Sequence, residues 1–160
     1  MQHERQSKSP QPAVMLDIEI LGTHPSSPIA EFGAIKFFLN DPGNETAAVS
    51  DSEFHEQIHL LGDIMSGAMP DEGAIHWWNE QPHELMDHVL GGCLAASKVM
   101  QEFLDWPPAR FPVFSNGPHF DFIILNQAHI RHGLKPIEFW RPLHEELGGK
   151  CLPRIRRKCY

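Results

Sequence analysis

The sequence predicts an α/β fold built on a mixed sheet with an antiparallel three-strand meander and flanking helices. A short, branched apolar run at residues 13–21, bounded by Pro12 and Gly22, has the length and composition of a buried strand. Two further strand-like segments follow after short connections, which favours neighbouring antiparallel strands. Helical segments and one more short strand come next, an order that packs helices against a sheet only partly antiparallel.

The first strand reads Ala13-Val-Met-Leu-Asp-Ile-Glu-Ile-Leu, and the loop Gly22-Thr-His-Pro-Ser-Ser-Pro leads to a second strand over residues 29–39. Asn40-Asp-Pro-Gly is a turn signal that closes it. A third strand is expected over residues 53–60, where Phe54, Ile58 and Leu60 alternate with His55, Gln57 and His59. A helix is expected over residues 71–80, because Asp71 is a good capping residue and Pro82 stops the run. Residues 93–106 form the next helix, with Leu94, Val99, Phe103 and Leu104 near one face before Pro107-Pro108. The short strand Phe111-Pro-Val-Phe-Ser, the turn Asn116-Gly-Pro and a helix from about residue 120 to 132, ended by Gly133, complete the legible pattern.

The chain has 160 residues and is 41% hydrophobic, enough for one core. Residues 1–12 are expected to be a disordered leader, 13–140 the folded domain, and 141–160 an atypical basic tail. That tail holds Arg154, Arg156, Arg157 and Lys158, four of the 13 Lys and Arg residues. It is either a solvated end or a nucleic-acid contact. No apolar run spans a bilayer and the start lacks a secretory pattern, so no membrane partner and a cytoplasmic location are expected. Cys93, Cys151 and Cys159 form no CxxC pair and read as ordinary thiols. A formal charge of -8 argues against a broad basic surface. Divalent cations bridging carboxylates to phosphate would supply positive charge locally instead.

Asp17 and Glu19 are two apart on the first strand, so their side chains share one face. Buried carboxylates require cations or hydrogen-bond donors, which makes a metal site one explanation; a solvent-facing strand surface is the other. Asp121 opens the last helix after a strand and turn, either at a functional crevice or as a helix-start cap. Trp77 or Trp78 would stack on a base or belong to the core. Of the 11 histidines, the pairs His55/His59 and His129/His132 have metal-compatible spacing without enough partners for a zinc site.

Together these segments resemble the DEDD superfamily of 3′-to-5′ exonucleases, and within it the RNase T-like exoribonuclease branch. Val14-Met-Leu-Asp-Ile-Glu-Ile-Leu-Gly-Thr is similar to the first motif, whose Asp-x-Glu supplies two metal ligands, and Pro28-Ile-Ala-Glu-Phe-Gly-Ala-Ile to the strand that follows it. Ala74-Ile-His-Trp-Trp-Asn-Glu-Gln resembles that branch's Trp-Trp segment, and Ser115-Asn-Gly-Pro-His-Phe-Asp the second motif. The resemblance runs from about residue 14 to 140. It implies an RNase H-like fold, C-terminally truncated, that releases nucleotides from the 3′ ends of single-stranded RNA or DNA with Mg²⁺ or Mn²⁺. Asp17 would bridge two ions, Glu19 would bind the one that activates water, and Asp121 the one that stabilises the leaving 3′ oxygen. Leu21, Gly22, Trp77 and Asn116 would contact substrate.

Ile20 stands where the family has threonine after the motif glutamate. The third motif, which supplies a general-base histidine and a fourth aspartate, has no counterpart: no acidic residue follows Glu146 and no HxxxxD segment follows Asp121. Impaired activity is therefore expected, as is association, with a homodimer among the outcomes, through an incompletely covered sheet. A catalytically inactive homologue that binds single-stranded nucleic acid, or that has no function, is the alternative, and a plain interaction domain is a third.

Overall fold

A computed structural model describes residues 12–38, 53–106, 111–115 and 117–136. Residues 1–11 of the leader expected over 1–12, the turn at Asn40, Asn116 and the tail over residues 141–160 lie outside them, while Pro12 opens the first strand.

Strand β1 (Pro12–Ile20) pairs antiparallel with β2 (Ile29–Phe38), which pairs antiparallel with β3 (Glu53–Gln57). Strand β4 (Val113–Ser115) adds parallel to the other side of β1, giving the order β3-β2-β1-β4. The expected meander and mixed sheet are thus the observed ones. Strand β1 pairs with β2 along its length and with β4 over residues 14–16, and it is covered on both faces at its N-terminal half, which explains its nearly continuous apolar run. Val14, Leu16 and Ile18 enter the main core with Val99, Met100 and Phe103 and with Phe122, Leu125 and Ala128. Ala13 and Met15 point the other way, against Phe114, Ile35 and Phe37.

Among the described residues, five helices follow the meander or flank the last strand: α1 (Leu60–Met65), α2 (Glu72–Asn79), α3 (His83–Leu90), α4 (Ala96–Asp105) and α5 (Pro118–Arg131). Helix α2 starts as expected, with the Asp71 carboxylate accepting from the Ala74 N–H at 2.6 Å. Ala96, Val99, Met100 and Phe103 of α4 are buried at helical spacing, and Phe103 meets Phe32 with ring centroids 4.5 Å apart. Gly133, at φ 71°, stops α5 in the left-handed conformation, and the Leu134 N–H donates back to the His129 carbonyl.

Several boundaries depart from the expectation, and helix α3 lies outside it. The third strand ends at Gln57; Ile58 forms an isolated bridge with Leu94, and Leu60 opens α1. Helical spacing then turns both Leu60 and Asp63 inward, where Asp63 meets partners described below. Leu94 pairs with Ile58 rather than lying on a helix, because Gly92 passes so close to the Ile58 carbonyl that a β-carbon there would collide with it. Pro82, which ends the α2 run, also supplies the extended residue from which α3 begins.

Candidate active site

The face of β1 that carries Ala13 and Met15 continues through Asp17 and Glu19, so it passes from apolar to acidic toward the strand's C-terminal end. Both carboxylates are half-buried. Across the ladder, Asp17 lies opposite Gly33 and Glu19 directly opposite Glu31. The absence of a side chain at Gly33 leaves open space beside Asp17.

Asp121 reaches the same region from α5. Strand β4 ends at Ser115, beside Leu16, and the chain turns through Gly117 into the helix, which places Asp121 in its first turn. The Asp121 side chain accepts hydrogen bonds from the Ser115 hydroxyl and, at 3.4 Å, from the Gly117 N–H. The second of these reaches back to the N-cap residue of α5, whose own side chain supplies no cap. Burial, with the negative charge of Asp17 adding to it, holds the Asp121 carboxyl above the usual carboxylate range despite the opposing Ser115 and Gly117 hydrogen bonds. Among the described residues, no ion pair joins Asp121 to Lys or Arg.

The loop after β1 is fastened to α2. Asp71 accepts from the Thr23 N–H at 2.7 Å and from its hydroxyl at 3.1 Å, while the Asp71 N–H donates to the Leu21 carbonyl. The Ala74 and Thr23 N–H groups hold the Asp71 carboxyl below its ordinary range. A β-carbon at Gly22 would lie 2.4 Å from the Ser27 hydroxyl and 3.2 Å from the Asp71 carboxylate, so the loop requires glycine there. Leu21 is buried with Ala30, Leu60, Trp78 and Val89. The Trp78 indole donates to the Ile20 carbonyl at 2.9 Å, which anchors α2 at the end of β1. Trp77 is 53% exposed and meets Trp78 edge-to-face.

Neither histidine pair singled out by spacing forms a site. His129 is buried, bonded to the Leu125 carbonyl, and His132 contacts Asp63. The expectation that the histidines lack partners is corrected at another place: His55 of β3 and His88 of α3 converge on Glu31 of β2. The His55 Nε2 lies 2.5 Å from Glu31 Oε1 and the His88 Nε2 3.0 Å from Glu31 Oε2. Strand alternation announces His55, but only the register of three strands and the position of α3 bring the trio together.

A family model described as the 3′-5′ exoribonuclease Rv2179c-like domain matches residues 12–146. No curated protein matches the chain. Solved structures of E. coli exonuclease I share the fold. Its complex with a dT13 oligonucleotide superposes with a TM-score of 0.58 at 15% identity, covering 81% of this chain and 25% of that one. The metal-free exonuclease I–ssDNA complex gives 0.57 at 15%, over 81% and 26%. The zinc-bound form of that complex gives 0.59 at 15%, over 81% and 26%. The chain thus spans about a quarter of the length of these exonuclease I chains. No helix among the described residues is long and apolar enough to cross a membrane.

Proposed function

The chain belongs to the 3′-5′ exoribonuclease Rv2179c-like domain family, and from that premise we propose that it hydrolyses 3′-terminal phosphodiester bonds of single-stranded RNA with divalent metal ions held by Asp17, Glu19 and Asp121. The observation that carries this reading is the pairing of Leu16 with Ser115, which brings the residue after Leu16, Asp17, to the same sheet edge as the Ser115 hydroxyl that holds Asp121, so that the charge of Asp17 adds to the burial penalty on the Asp121 anion. A group of carboxylates in that environment fits a hard divalent cation, whose charge would reverse the penalty on the Asp121 anion. Mg²⁺ or Mn²⁺, when bound there, would polarise the scissile phosphate and favour both the attacking water and the leaving oxygen.

The protein's own contributions follow from the local structure. Asp17 and Glu19 are positioned by the β1 ladder with β2, opposite Gly33 and Glu31, so their separation is set by the pleat. Ser115 and the Gly117 N–H aim the Asp121 carboxylate. Trp78 and Asp71 pin α2 and the 21–23 loop beside this end of β1, and Trp77 remains exposed as a face for a terminal base. Loss of that stacking in Trp77→Ala is expected to weaken RNA binding by about 1–3 kcal/mol. This reading assigns no general base to the described residues; where a positioned base acts, it contributes a factor on the order of 10² to 10⁴ in rate.

The test is degradation of 5′-labelled single-stranded RNA with Mn²⁺, read as a ladder shortening from the 3′ end. Slow cutting that disappears in Asp17→Asn and in Asp121→Asn supports the proposal. Cutting that survives both substitutions contradicts it. RNA binding without any cutting selects the inactive-homologue reading, and a preference for single-stranded DNA would move the substrate assignment.

A further inference from the structure

We infer that Glu31, His55 and His88 form a second cation site, distinct from the Asp17/Glu19/Asp121 centre, that takes a borderline transition metal such as Zn²⁺ or Co²⁺ rather than Mg²⁺. The three residues come from β2, β3 and α3, and one ligand atom from each lies within 4.8 Å of the others. Two imidazole nitrogens and one carboxylate are a donor set that suits zinc or cobalt, whereas Mg²⁺ prefers oxygen ligands and retained waters.

Two features separate this cluster from a chance meeting on the surface. Glu31 faces Glu19 directly across the ladder, and like charges in that relation are destabilising, so positive charge at Glu31 has a structural use as well. The scaffold also holds the histidines in place. The Gln57 side chain donates to the His88 carbonyl at 2.6 Å, tying the end of α3 to β3, and the His55 and His88 rings lie nearly parallel with centroids 6.4 Å apart. Both rings turn Nε2 toward the same carboxylate, one to each oxygen.

The spacing is close to what an ion requires. Ligand atoms about 2.0–2.2 Å from zinc at tetrahedral angles stand roughly 3.3–3.6 Å apart. The His88–Glu31 separation of 3.0 Å is slightly shorter, and the His55–Glu31 separation of 2.5 Å must open by about 1 Å. The His55 side chain is 47% exposed and has room to retreat. Three protein ligands on a partly exposed surface leave a fourth position for water or a phosphate oxygen, next to the strand that carries Glu19.

The experiment uses the 160-residue chain carrying Asp17→Asn and Asp121→Asn, so that the acidic centre does not contribute. Titration with Zn²⁺ against a chromophoric chelator, and with Co²⁺ by visible absorption, is expected to show one equivalent bound, undisplaced by millimolar Mg²⁺. His55→Ala and His88→Ala in that background should each weaken binding by about 10- to 100-fold. His55→Gln serves as a milder variant, and circular dichroism checks that each protein remains folded. Affinity unchanged in the histidine variants, no binding by the folded background protein, or displacement by Mg²⁺ would each overturn the inference. Since the readout is metal binding, a protein without nuclease activity still tests it.

Discussion

Asp63 and Asp121 are both buried carboxylates, at 1% and 7% exposure, yet their surroundings are opposite in sign. Asp63 on α1 accepts from the Arg131 guanidinium at 2.9 and 3.0 Å and from the Ile29 N–H at 3.2 Å, and contacts the His132 Nε2 at 2.7 Å. It joins α1, β2 and the end of α5 through a cation. Among the described residues, Asp121, at the other end of α5, has a hydroxyl and one N–H, and the charge acting on it is that of another carboxylate, Asp17. The same helix therefore carries a satisfied structural ion pair at its C-terminal end and an electrostatically frustrated carboxylate at its N-terminal end. Frustration of this kind is how functional sites commonly depart from the rest of a fold.

The largest expected effect is on the satisfied side. Asp63→Ala leaves Arg131 buried without its counter-charge and should cost about 3–5 kcal/mol in urea denaturation. A loss below about 1 kcal/mol would mean that Asp63 is not the hub described.

Asp121→Asn should act in the reverse direction, because it removes a charge that burial disfavours and keeps an oxygen that can accept from Ser115. A gain of about 0.5–2 kcal/mol in the metal-free protein is expected near neutral pH, together with loss of nuclease activity. The pH dependence fixes the sign. With its folded value raised above the ordinary 3.8, Asp121 contributes stability below about pH 3.8, and that contribution is lost as pH rises through the folded value. The advantage of Asp121→Asn should therefore grow over that interval, as followed by melting temperature. An advantage independent of pH would contradict the electrostatic origin.

His129 provides a smaller effect that sharpens the contrast. Burial, opposed by the bond to the Leu125 carbonyl and assisted by nearby His132, holds its imidazole below the ordinary 6.5. Its Nε2 is buried with no hydrogen-bond partner among the described residues. The folded state keeps this ring neutral while the unfolded chain protonates it, so stability should decline as pH falls below about 6.5 toward the folded value. His129→Gln should flatten that segment of the pH profile, and an unchanged slope would assign it to other groups.

The positions of the three proposed ligands in the fold were legible in the sequence because they rest on local rules. Alternation puts Asp17 and Glu19 on one face of β1, and the strand-turn-helix pattern puts Asp121 at a helix start. The DEDD exonuclease resemblance built on those segments agrees with the family match. The meander, α2, α4 and α5 were legible for the same reason. Helix α1 was not, because its six residues give little period, His59 provides no side-chain cap, and the alternation through Ile58 runs on into it. The Glu31/His55/His88 group depends on register across three strands and on a helix that starts from proline, so no single segment announces it.

The central claim is that Asp17 and Asp121 form one charge-coupled, cation-seeking centre, and the Asp121 carboxyl titration tests it most directly. Carbon-detected NMR of the side-chain carboxyl should show its midpoint above the ordinary range in the metal-free protein, lower in Asp17→Asn, and lower again when Mg²⁺ is added to the unsubstituted chain. A midpoint unmoved by both Asp17→Asn and Mg²⁺ would show that Asp121 is only a helix cap.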